Sequence, residues 1–599
     1  MGKPRHPFES CPLCPTMRPG VGPIGCRRER MRGGRRQDGA MQGDRSRRTL
    51  GMCGRVGPGD RSRVDAMSDV LGGVRGLIDQ PGAALRADAG SVRWAAPDTD
   101  ANQHTGVSWS PTPLPASLPP DDSRIAREHD AFSLVVDSRA ARLHSGISGA
   151  VPIYMDAGSA PDKDPHVHFC SRIEPLARTQ AGGARPDWDA WAHILAAGGP
   201  LGGRTVFAGI HRMQPWSRIT VTPGSAPEVN STGWPWLDVD AVSGASVDTV
   251  RDALAETVSA LGMRQGLTCL LSGGWDSRVL TAIASGLVPE QLTAWTTSSD
   301  TGTVMEELVA AKVAGMLGIQ HEIVPPVRDD FGADLEHFAR SVDYQTSFHV
   351  WLVPLARALA GTSRTVLDGL GGGLFVGGAF PDEDSERPIL DRRFDRLARY
   401  LHGAEEILDA RVVEQLRERT RASFDTVAAP LVNHPFGSTF TAYLTRTLPG
   451  ISLAPYGLLS SATPVATPFL DDAVVRAALA IPAEQHADGR LYPELLRPFA
   501  PQLADLPTAL ELTPQERPHQ RRVSSAEAAR VLRDIVTREP VRQLLSPELV
   551  VADLDIWRKY LNLTRPQHLI RGLATLSLWL DHYEDVLDGS GIDALLGRG

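Results

Sequence analysis

The sequence predicts an α/β protein, in which an antiparallel β-rich domain precedes a parallel-sheet domain with a mostly helical C-terminal part. Three observations support this fold class. Short strand-like segments separated by turn residues occupy positions 130–221. Strands and helices alternate between positions 247 and 373, which is typical of a parallel sheet. From about 390 to 590 the apolar residues follow helical spacing.

Residues 1–51 are predicted to be a disordered basic tail or the product of a start codon assigned too far upstream. The first fifty residues contain eleven Arg and one Lys against two Asp and two Glu, and they are rich in Gly and Pro. They contain no apolar segment of the kind that a signal peptide needs. Cys11, Cys14 and Cys26 lack a convincing fourth ligand for zinc.

Composition limits the classes of partner. The net charge is -9 despite the basic tail, so the remainder is acidic and general nucleic-acid binding is not expected. There is no run of eighteen apolar residues, so we expect neither a membrane span nor a membrane partner. Six Cys in 599 residues, with Cys269 in a predicted buried strand, favour a cytoplasmic protein.

The first domain is predicted to cover residues 52–222. Its strand-like segments follow a loop-like stretch at 80–125, and residues 223–246 are the predicted linker. The predicted strands are Ala131–Val136, Ala141–His144, Val151–Met155, Val167–Leu176, Gly203–Met213 and Arg218–Val221.

The second domain is predicted to cover residues 247–590. The helix Val247–Leu261 precedes a buried strand at Leu267–Leu271, and the next strands are Gln291–Thr297, His321–Val324 and Thr365–Leu367. Thr303 and Glu306 have capping-box spacing for a helix that ends at Leu317, before Gly318. Ligands of such a sheet bind at the carboxyl ends of its strands.

A glycine loop, Ser272-Gly273-Gly274-Trp275-Asp276-Ser277, follows the first of these strands. A helix start after a glycine turn directs backbone N–H groups at an anion such as phosphate. The two serines add hydroxyl donors, and Asp276 can hold an accompanying cation. The alternative is an ordinary strand-to-helix turn. A second glycine-rich loop, Asp368–Gly373, follows the strand at Thr365–Leu367.

These motifs resemble those of a known family. The first loop resembles the Ser-Gly-Gly-x-Asp-Ser loop of ATP pyrophosphatases. Together with the second loop and Pro468–Asp471, it resembles class B asparagine synthetases, whose relatives include β-lactam synthetase and lasso-peptide macrolactam cyclases. Segments Ala131–Asp137, Val151–Tyr154 and Cys170–Leu176 resemble the N-terminal domain of asparagine synthetases, a glutaminase-like domain of the N-terminal nucleophile type. The resemblance covers roughly residues 125–585.

The resemblance implies an ATP- and Mg²⁺-dependent ligase that activates a carboxylate as an acyl-adenylate, which an amine then attacks. Asp276 would be the catalytic metal ligand, with Asp368 as a second ligand if the loop is rearranged. The implied nucleotide-binding residues are Leu271, Ser272, Gly273, Gly274, Asp276, Ser277, Thr296, Thr297, Gly369 and Gly371.

Three positions depart from the family pattern. The Asp-Glu pair of the second loop falls on Gly373 and Leu374, and the Arg expected before Pro468 is Ala466. A Lys expected about twenty residues after that block is missing, so Arg490 is the only nearby cation; it is the remaining catalytic candidate. The site is therefore either repurposed or impaired.

Met52-Cys53-Gly54 resembles the start of class II glutamine amidotransferases, in which a Cys nucleophile uses its own α-amine as the base. Cys53 fits that role only if Met52 is the true start. The Arg-Gly-Pro-Asp and Asn-Gly-Glu segments that hold glutamine are missing, so we expect a scaffold without glutaminase activity.

Several functions are compatible with these features. The leading hypothesis is an amide ligase whose amine is already part of a small-molecule or peptide substrate, as in lasso-peptide cyclisation, with asparagine formation as the family default. The alternatives are a nucleotide-binding pseudoenzyme and a thiolation or argininosuccinate-type relative. Four residues between sheet elements could face a substrate, although helix packing explains them more simply: Asp343, Gln345, His349 and Trp351.

Overall fold

A computed structural model confirms the α/β fold, with two antiparallel sheets, then a parallel sheet and a helical C-terminal part. From Arg48 to Gly599 the chain forms one compact unit. The described residues are 51–57, 61–80, 83–87, 91–96, 104–158, 166–180, 182–231, 233–242, 244–300, 302–382, 385–512, 521–589 and 591–597. The predicted basic tail, with Cys11, Cys14 and Cys26, lies outside them except for Gly51.

The strands of the antiparallel sheets are β1 Met52–Val56, β2 Arg75–Gln80, β3 Ala83–Ala87, β4 Ser91–Ala96, β5 His104–Trp109, β6 Phe132–Val136, β7 Ala141–His144, β8 Tyr154–Gly158, β9 His166–Cys170, β10 Ile210–Arg212, β11 Arg218–Val221 and β12 Glu228–Asn230. The strands of the parallel sheet are β13 Leu267–Leu270, β14 Leu292–Thr297, β15 Gln320–Val324, β16 Thr365–Leu367 and β17 Val465–Ala466.

The helices are α1 Ser62–Val70, α2 Asp122–Glu128, α3 Ile173–Arg178, α4 Trp188–Ala197, α5 Val247–Gly262, α6 Trp275–Leu287, α7 Met305–Leu317, α8 Phe331–Ser341, α9 Val353–Leu359, α10 Gly372–Phe375, α11 Ile389–Leu397, α12 Ala410–Ala428, α13 Gly437–Ala442, α14 Asp472–Leu479, α15 Leu491–Leu496, α16 Ala509–Leu512, α17 Ala526–Val536, α18 Pro547–Val551, α19 Leu554–Leu561 and α20 Thr564–His582. Among the described residues, none of these helices is long and apolar enough to cross a membrane.

The two antiparallel sheets stack face to face around a shared core. Their strand orders are β10-β8-β9-β1-β3-β2 and β12-β11-β7-β6-β5-β4. Phe132 and Leu134 of β6 point into this core, whereas Val135 points the other way and packs with Ile125 of α2. Because both faces of β6 are covered, the strand is buried throughout and apolar at every position except Ser133.

Several N-terminal boundaries differ from the sequence prediction. The stretch 80–125, predicted to be loop-like, contains β3, β4, β5 and α2. The strand predicted at Val151–Met155 begins three residues later, at Tyr154. The segment predicted as Val167–Leu176 ends its strand at Cys170 and continues as α3, and only Ile210–Arg212 of the segment Gly203–Met213 is a strand. The turn-forming residues in this stretch made its strands look like loops. These strands form because they pair with neighbouring strands, and not because of their local propensity.

The predicted linker is packed against the rest of the unit. It contains β12, and its Trp236 is fully buried, with the indole N–H donating to Asp472 at 3.0 Å. Trp234 donates to the carbonyl oxygen of Ile147 at 2.8 Å. These bonds connect the segment to both halves of the unit.

The parallel sheet has the strand order β15-β14-β13-β16-β17. β14 and β15 lie on one side of β13, and β16 and β17 lie on the other, so the order reverses between β13 and β16. Such a reversal opens a crevice at the carboxyl ends of the strands, where open α/β sheets bind their ligands. The predicted helix ending at Leu317 is α7, and Gly318 after it adopts a φ of +67°.

Candidate active site

The two glycine loops meet at the reversal of the sheet. The first loop follows β13 and the second follows β16, and these two strands are parallel neighbours with Cys269 opposite Leu367. A Cβ atom built on Gly369 would lie 2.9 Å from the Cβ of Asp276. The structure therefore brings together the two loops that the sequence placed at separate strand ends.

Hydroxyl groups hold the first loop in a tight turn. The backbone N–H of Ser272 donates to Oγ of Ser277 at 3.0 Å, and the two hydroxyl oxygens are 2.9 Å apart. The backbone N–H of Gly274 donates to Oγ of Ser272 at 3.2 Å. No side chain caps the start of α6. Its first-turn N–H groups and positive dipole end are therefore suited to an anion.

Gly273 is required for close packing rather than for an unusual backbone angle. Neither Gly273 nor Gly274 has a positive φ. A Cβ on Gly273 would lie 2.3 Å from the Cβ of Ala509, whose N–H donates to the Gly273 carbonyl oxygen at 3.0 Å. Around Gly274, the nearest atom to such a Cβ is Oγ of Ser272 at 3.4 Å. The chain is therefore most approachable at Gly274.

Glu306 is a residue of this loop that the sequence assigned to another role. The capping-box interpretation was wrong for Glu306, whose carboxylate accepts the N–H of Gly273 at 2.6 Å, while the Thr303 hydroxyl accepts the N–H of Met305 at 3.4 Å. An oxyanion thus already occupies this amide, and a phosphate oxygen would have to compete with it. The two residues are 33 positions apart, so local sequence patterns could not predict this hydrogen bond.

Arg278 holds the segment that covers the loop. Its side chain is fully buried and donates to the carbonyl oxygens of Leu503 and Pro507 at 3.2 and 3.1 Å. Its guanidinium carbon also lies 4.5 Å from the ring centroid of Trp275. The residues before α16 are therefore held over the start of α6.

Asp276 lies at the centre of the site. Its carboxylate accepts the N–H of Gly373 at 3.1 Å and the hydroxyl of Tyr492. The Tyr492 ring stacks on Trp275 with 5.8 Å between centroids and 5° between planes. Tyr492 could not be identified from the sequence, because α15 reaches the loop only through tertiary packing.

The two acidic candidates share this site, and neither forms an ion pair with a cation in the part of the chain that the structure describes. Burial, with a smaller contribution from the charge of Asp368, raises the pKa of Asp276 to about 6 against the hydrogen bonds from Tyr492 and Gly373; burial also raises the pKa of Asp368 to about 6. Within the described residues, no group of three or more His, Cys, Asp or Glu is placed to hold a metal. Two uncompensated carboxylates suit Mg²⁺, which is usually held by one or two carboxylates plus phosphate oxygens and water.

Of the remaining predicted nucleotide-binding residues, Gly371 is fixed by close packing, and Thr296 and Thr297 are fixed by hydrogen bonds. Gly371 adopts a φ of +93°, and a Cβ there would lie 2.5 Å from the side chain of Leu470, so only glycine fits. Thr296 donates to the carbonyl oxygen of Leu271 at 2.6 Å, and Thr297 donates to that of Val324 at 2.8 Å. These two hydroxyls order the rim of the sheet.

Arg490 lies at the surface. Its side chain is 67% exposed, and its ionic partner within the described part of the chain is Asp488 at 3.7 Å. The structure therefore places Tyr492, and not Arg490, against Asp276.

Two of the residues identified from the sequence as candidates to face a substrate instead join the two halves of the unit. Asp343 pairs with Arg172 at 2.8 Å, and Gln345 donates to the Tyr154 hydroxyl at 2.6 Å.

Cys53 lies in the interior of the first antiparallel sheet. It sits inside β1, between β3 and β9, with Cys170 as its partner on β9. Its thiol is fully buried, and burial raises its pKa to about 12. The strand that contains Cys53 is paired on both sides, whereas an N-terminal nucleophile needs a free α-amine as its base.

Comparison with known proteins finds one family. A family model described as asparagine synthase matches residues 249–581, which is more than half of the chain. The matched region contains both glycine loops, Asp276, Tyr492 and the whole parallel sheet. A search of curated proteins finds no match.

Proposed function

The chain belongs to the asparagine synthase family, and we propose that it activates a substrate carboxylate with ATP for attack by an amine of a small molecule or peptide. Family membership supports an ATP-dependent amide-forming ligase. The observation that carries the proposal is the convergence of both glycine loops on Asp276 at the reversal of the parallel sheet.

The proposed reaction has two steps. A carboxylate oxygen of the substrate attacks the α-phosphorus of ATP, the bond to the β-phosphate oxygen breaks, and pyrophosphate leaves. The amine nitrogen then attacks the acyl carbon, loses a proton, and displaces AMP, which leaves an amide. Both steps depend on positioning and on stabilising charge on phosphate oxygens, and not on a covalent enzyme intermediate.

The described residues fit this chemistry. The uncapped start of α6 and the Ser272 hydroxyl would bind the phosphates. Asp276 and Asp368 would hold Mg²⁺, which neutralises phosphate charge when bound. Tyr492 orients the Asp276 carboxylate, and the segment that Arg278 holds would limit the access of water to the loop.

ATP–pyrophosphate exchange tests the proposal. The full chain, incubated with ATP, Mg²⁺, labelled pyrophosphate and a panel of carboxylates that includes aspartate and peptides with Asp or Glu, is expected to exchange label with at least one of them. Gly373, at the place of a family acid, and the exposed Arg490 favour a second candidate, a nucleotide-binding pseudoenzyme. Saturable ATP binding without exchange across the panel would support that candidate and exclude the ligase.

We also propose that glutamine is not the source of the amine. The buried, high-pKa thiol of Cys53 supports this, as do the missing glutamine-binding segments. Cys53→Ala is expected to leave exchange unchanged and to cost about 1 kcal/mol of stability, the same as Cys170→Ala on the neighbouring strand. Ammonia release from glutamine by the wild type, lost in Cys53→Ala and kept in Cys170→Ala, would show that Cys53 is a nucleophile after all.

Gly373→Asp tests whether the missing acid limits the site. A Cβ on Gly373 would lie 3.6 Å from Oδ2 of Asp276, an ordinary contact, so a third carboxylate fits beside the first two. We expect the Mg²⁺ concentration for half-maximal exchange to fall at least about tenfold. Gly373→Asn is the control, because it adds the same volume without the charge. An unchanged Mg²⁺ requirement in Gly373→Asp would show that position 373 does not face the metal.

A further inference from the structure

A cluster of cationic side chains lies beyond the carboxyl end of β14. We call it the arginine cluster; its members are Arg399, Arg446, Arg521, Arg571, His349 and His568. Arg521 donates to the carbonyl oxygen of Asp300, three residues after β14 ends, at 2.9 Å. The cluster therefore lies at the same edge of the sheet as the glycine loops.

Contacts between rings and guanidinium groups hold the cluster together. Nη2 of Arg571 donates to Nδ1 of His568 at 2.6 Å. The His568 ring lies 4.8 Å from that of Tyr400, over which the Arg399 guanidinium lies at 5.1 Å. His349 is near enough that Arg446 and Arg571 both lower its pKa, which burial and these charges bring to about 3. Both histidines are therefore neutral, and the arginines carry the charge.

Arg571 is buried without the acceptors that a guanidinium needs. It is 1% exposed, and its Nε has no hydrogen-bond partner among the residues that the structure describes. Of its five N–H donors, the bond that the structure shows goes to the neutral His568 ring. Burial lowers its pKa to about 10. A buried charge in this state is costly unless an opposite charge meets it.

The neighbouring arginines do not resolve this imbalance. Nε of Arg446 is also buried without a partner, and burial together with the charge of Arg399 lowers the pKa of Arg446 to about 10. Among the described residues, none of the four arginines forms an ion pair with a carboxylate. Asp300 is the acid that acts on Arg571, but its carboxylate accepts the backbone N–H of Arg522.

Packing alone does not explain these charges. Trp351 lies 5.9 Å from the Arg571 guanidinium and Phe380 lies 5.1 Å from that of Arg446, but aromatic faces accept no in-plane hydrogen bond. His349 adopts a φ of +64°, a strained angle for a non-glycine residue, of the kind that clusters at functional sites. The set has the composition of an anion site, with planar donors and aromatic walls, and the Asp300 carboxylate lies beyond ion-pair distance from Arg571.

We propose that the arginine cluster, centred on Arg571 and Arg446, binds an oxyanion group of a substrate, a carboxylate or a phosphate. Arginine forks match the planar, two-oxygen geometry of such groups. Assigning the anion to a substrate of the ligase reaction rests on the proposed function, whereas anion binding itself does not. The position beside β14 would anchor one end of a substrate while its reacting carboxylate lies at the glycine loops.

Thermal denaturation of the full chain tests the proposal without turnover. Succinate and pyrophosphate serve as separate probes, titrated at constant ionic strength. The wild-type melting temperature is expected to rise with at least one probe and to saturate, because a ligand that binds only the native state stabilises it. Because pyrophosphate can also bind at the glycine loops, the assignment uses the shift that depends on Arg571: such a shift with succinate would identify a carboxylate, and such a shift with pyrophosphate a phosphate. A flat response to both probes would overturn the proposal.

Arg571→Met separates a binding role from a structural one. Without anion, the variant is expected to melt at or above the wild-type temperature, because an unpaired buried charge has been removed. Its apparent affinity for the probe should fall at least about tenfold. Arg446→Met should weaken binding in the same way, and Arg185→Met, at an exposed arginine, should not. A less stable Arg571→Met with unchanged affinity would make Arg571 a structural residue.

The exchange assay and the denaturation assay test the ligase proposal and the anion-site proposal separately. Exchange in the absence of any Arg571-dependent shift would keep the ligase and remove the anion site. An Arg571-dependent shift without exchange would keep the anion site and remove its assignment to a ligase substrate.

Discussion

Asp276→Ala is expected to lower ATP–pyrophosphate exchange by about 100- to 1,000-fold, the range typical for removing one electrostatic contact in a transition state. The carboxylate is the point at which both loops, α15 and the neighbouring Asp368 meet. Without it, Mg²⁺ would keep a single carboxylate in the described part of the site, and the phosphates would lose their counter-charge.

The fold should survive this change. The pKa of Asp276 is raised to about 6 in the folded chain, above its ordinary value of 3.8. Its ionisation therefore costs stability, which falls as the pH rises from about 4 to about 6. Asp276→Ala should lack that decline, and at neutral pH its melting temperature should stay close to that of the wild type.

Asp505→Ala, at an exposed carboxylate near the covering segment, is the matched control. It should exchange at the wild-type rate. Wild-type exchange in Asp276→Ala, measured at saturating Mg²⁺, would show that the metal role assigned to Asp276 is wrong. Loss of exchange together with a drop of many degrees in melting temperature would show instead that Asp276 is a structural residue.

The glycine loops could be predicted because their signals are local. A buried strand, a glycine pair and an apolar helix occupy consecutive positions around Ser272, and a buried strand, several glycines and a short helix follow one another around Asp368. The parallel sheet follows from that alternation, since parallel neighbours need a crossover between them. Family resemblance then supplied the expectation that the two loops face the same ligand.

The partners of the loops could not be predicted in the same way. Glu306 has the spacing of a helix cap, and only the packing of α7 against the loop turns it towards Gly273. Tyr492 lies 216 residues from Asp276 in the chain. The missed strands β3 to β5 lie among glycine, proline and aspartate, where local preference opposes a strand and pairing across the sheet overrides it.

The arginine cluster also could not be predicted from the sequence. Its arginines come from four separate segments of the chain, and nothing in any one segment predicts that they meet. An unpaired buried charge is visible only when every neighbour is known. The sequence singled out His349 and Trp351 by position alone and gave helix packing as the simpler explanation for them.

Gly372→Ala is expected to lower exchange by about 100-fold through displacement of Asp276. A Cβ on Gly372 would lie 2.4 Å from Oδ1 of Asp276 and 3.0 Å from the Phe469 ring. The ring is fully buried, so the carboxylate must move and lose its bond to Tyr492. A shift of about 1 Å in a positioned group costs on the order of 100-fold in rate.

Gly373→Ala is the matched control, because both glycines begin α10 with ordinary helical backbone angles and only the first would press on Asp276. Each replacement gains about 0.5–1 kcal/mol from the lower backbone entropy of alanine in the unfolded chain. In Gly373→Ala that gain should appear as a higher melting temperature with unchanged exchange. In Gly372→Ala the close contact between the new Cβ and Asp276 should offset that gain in stability. ATP affinity should fall less than the exchange rate, because the start of α6 is unchanged. Equal exchange in the two variants would mean that Asp276 tolerates displacement and that its position is not what the second loop controls.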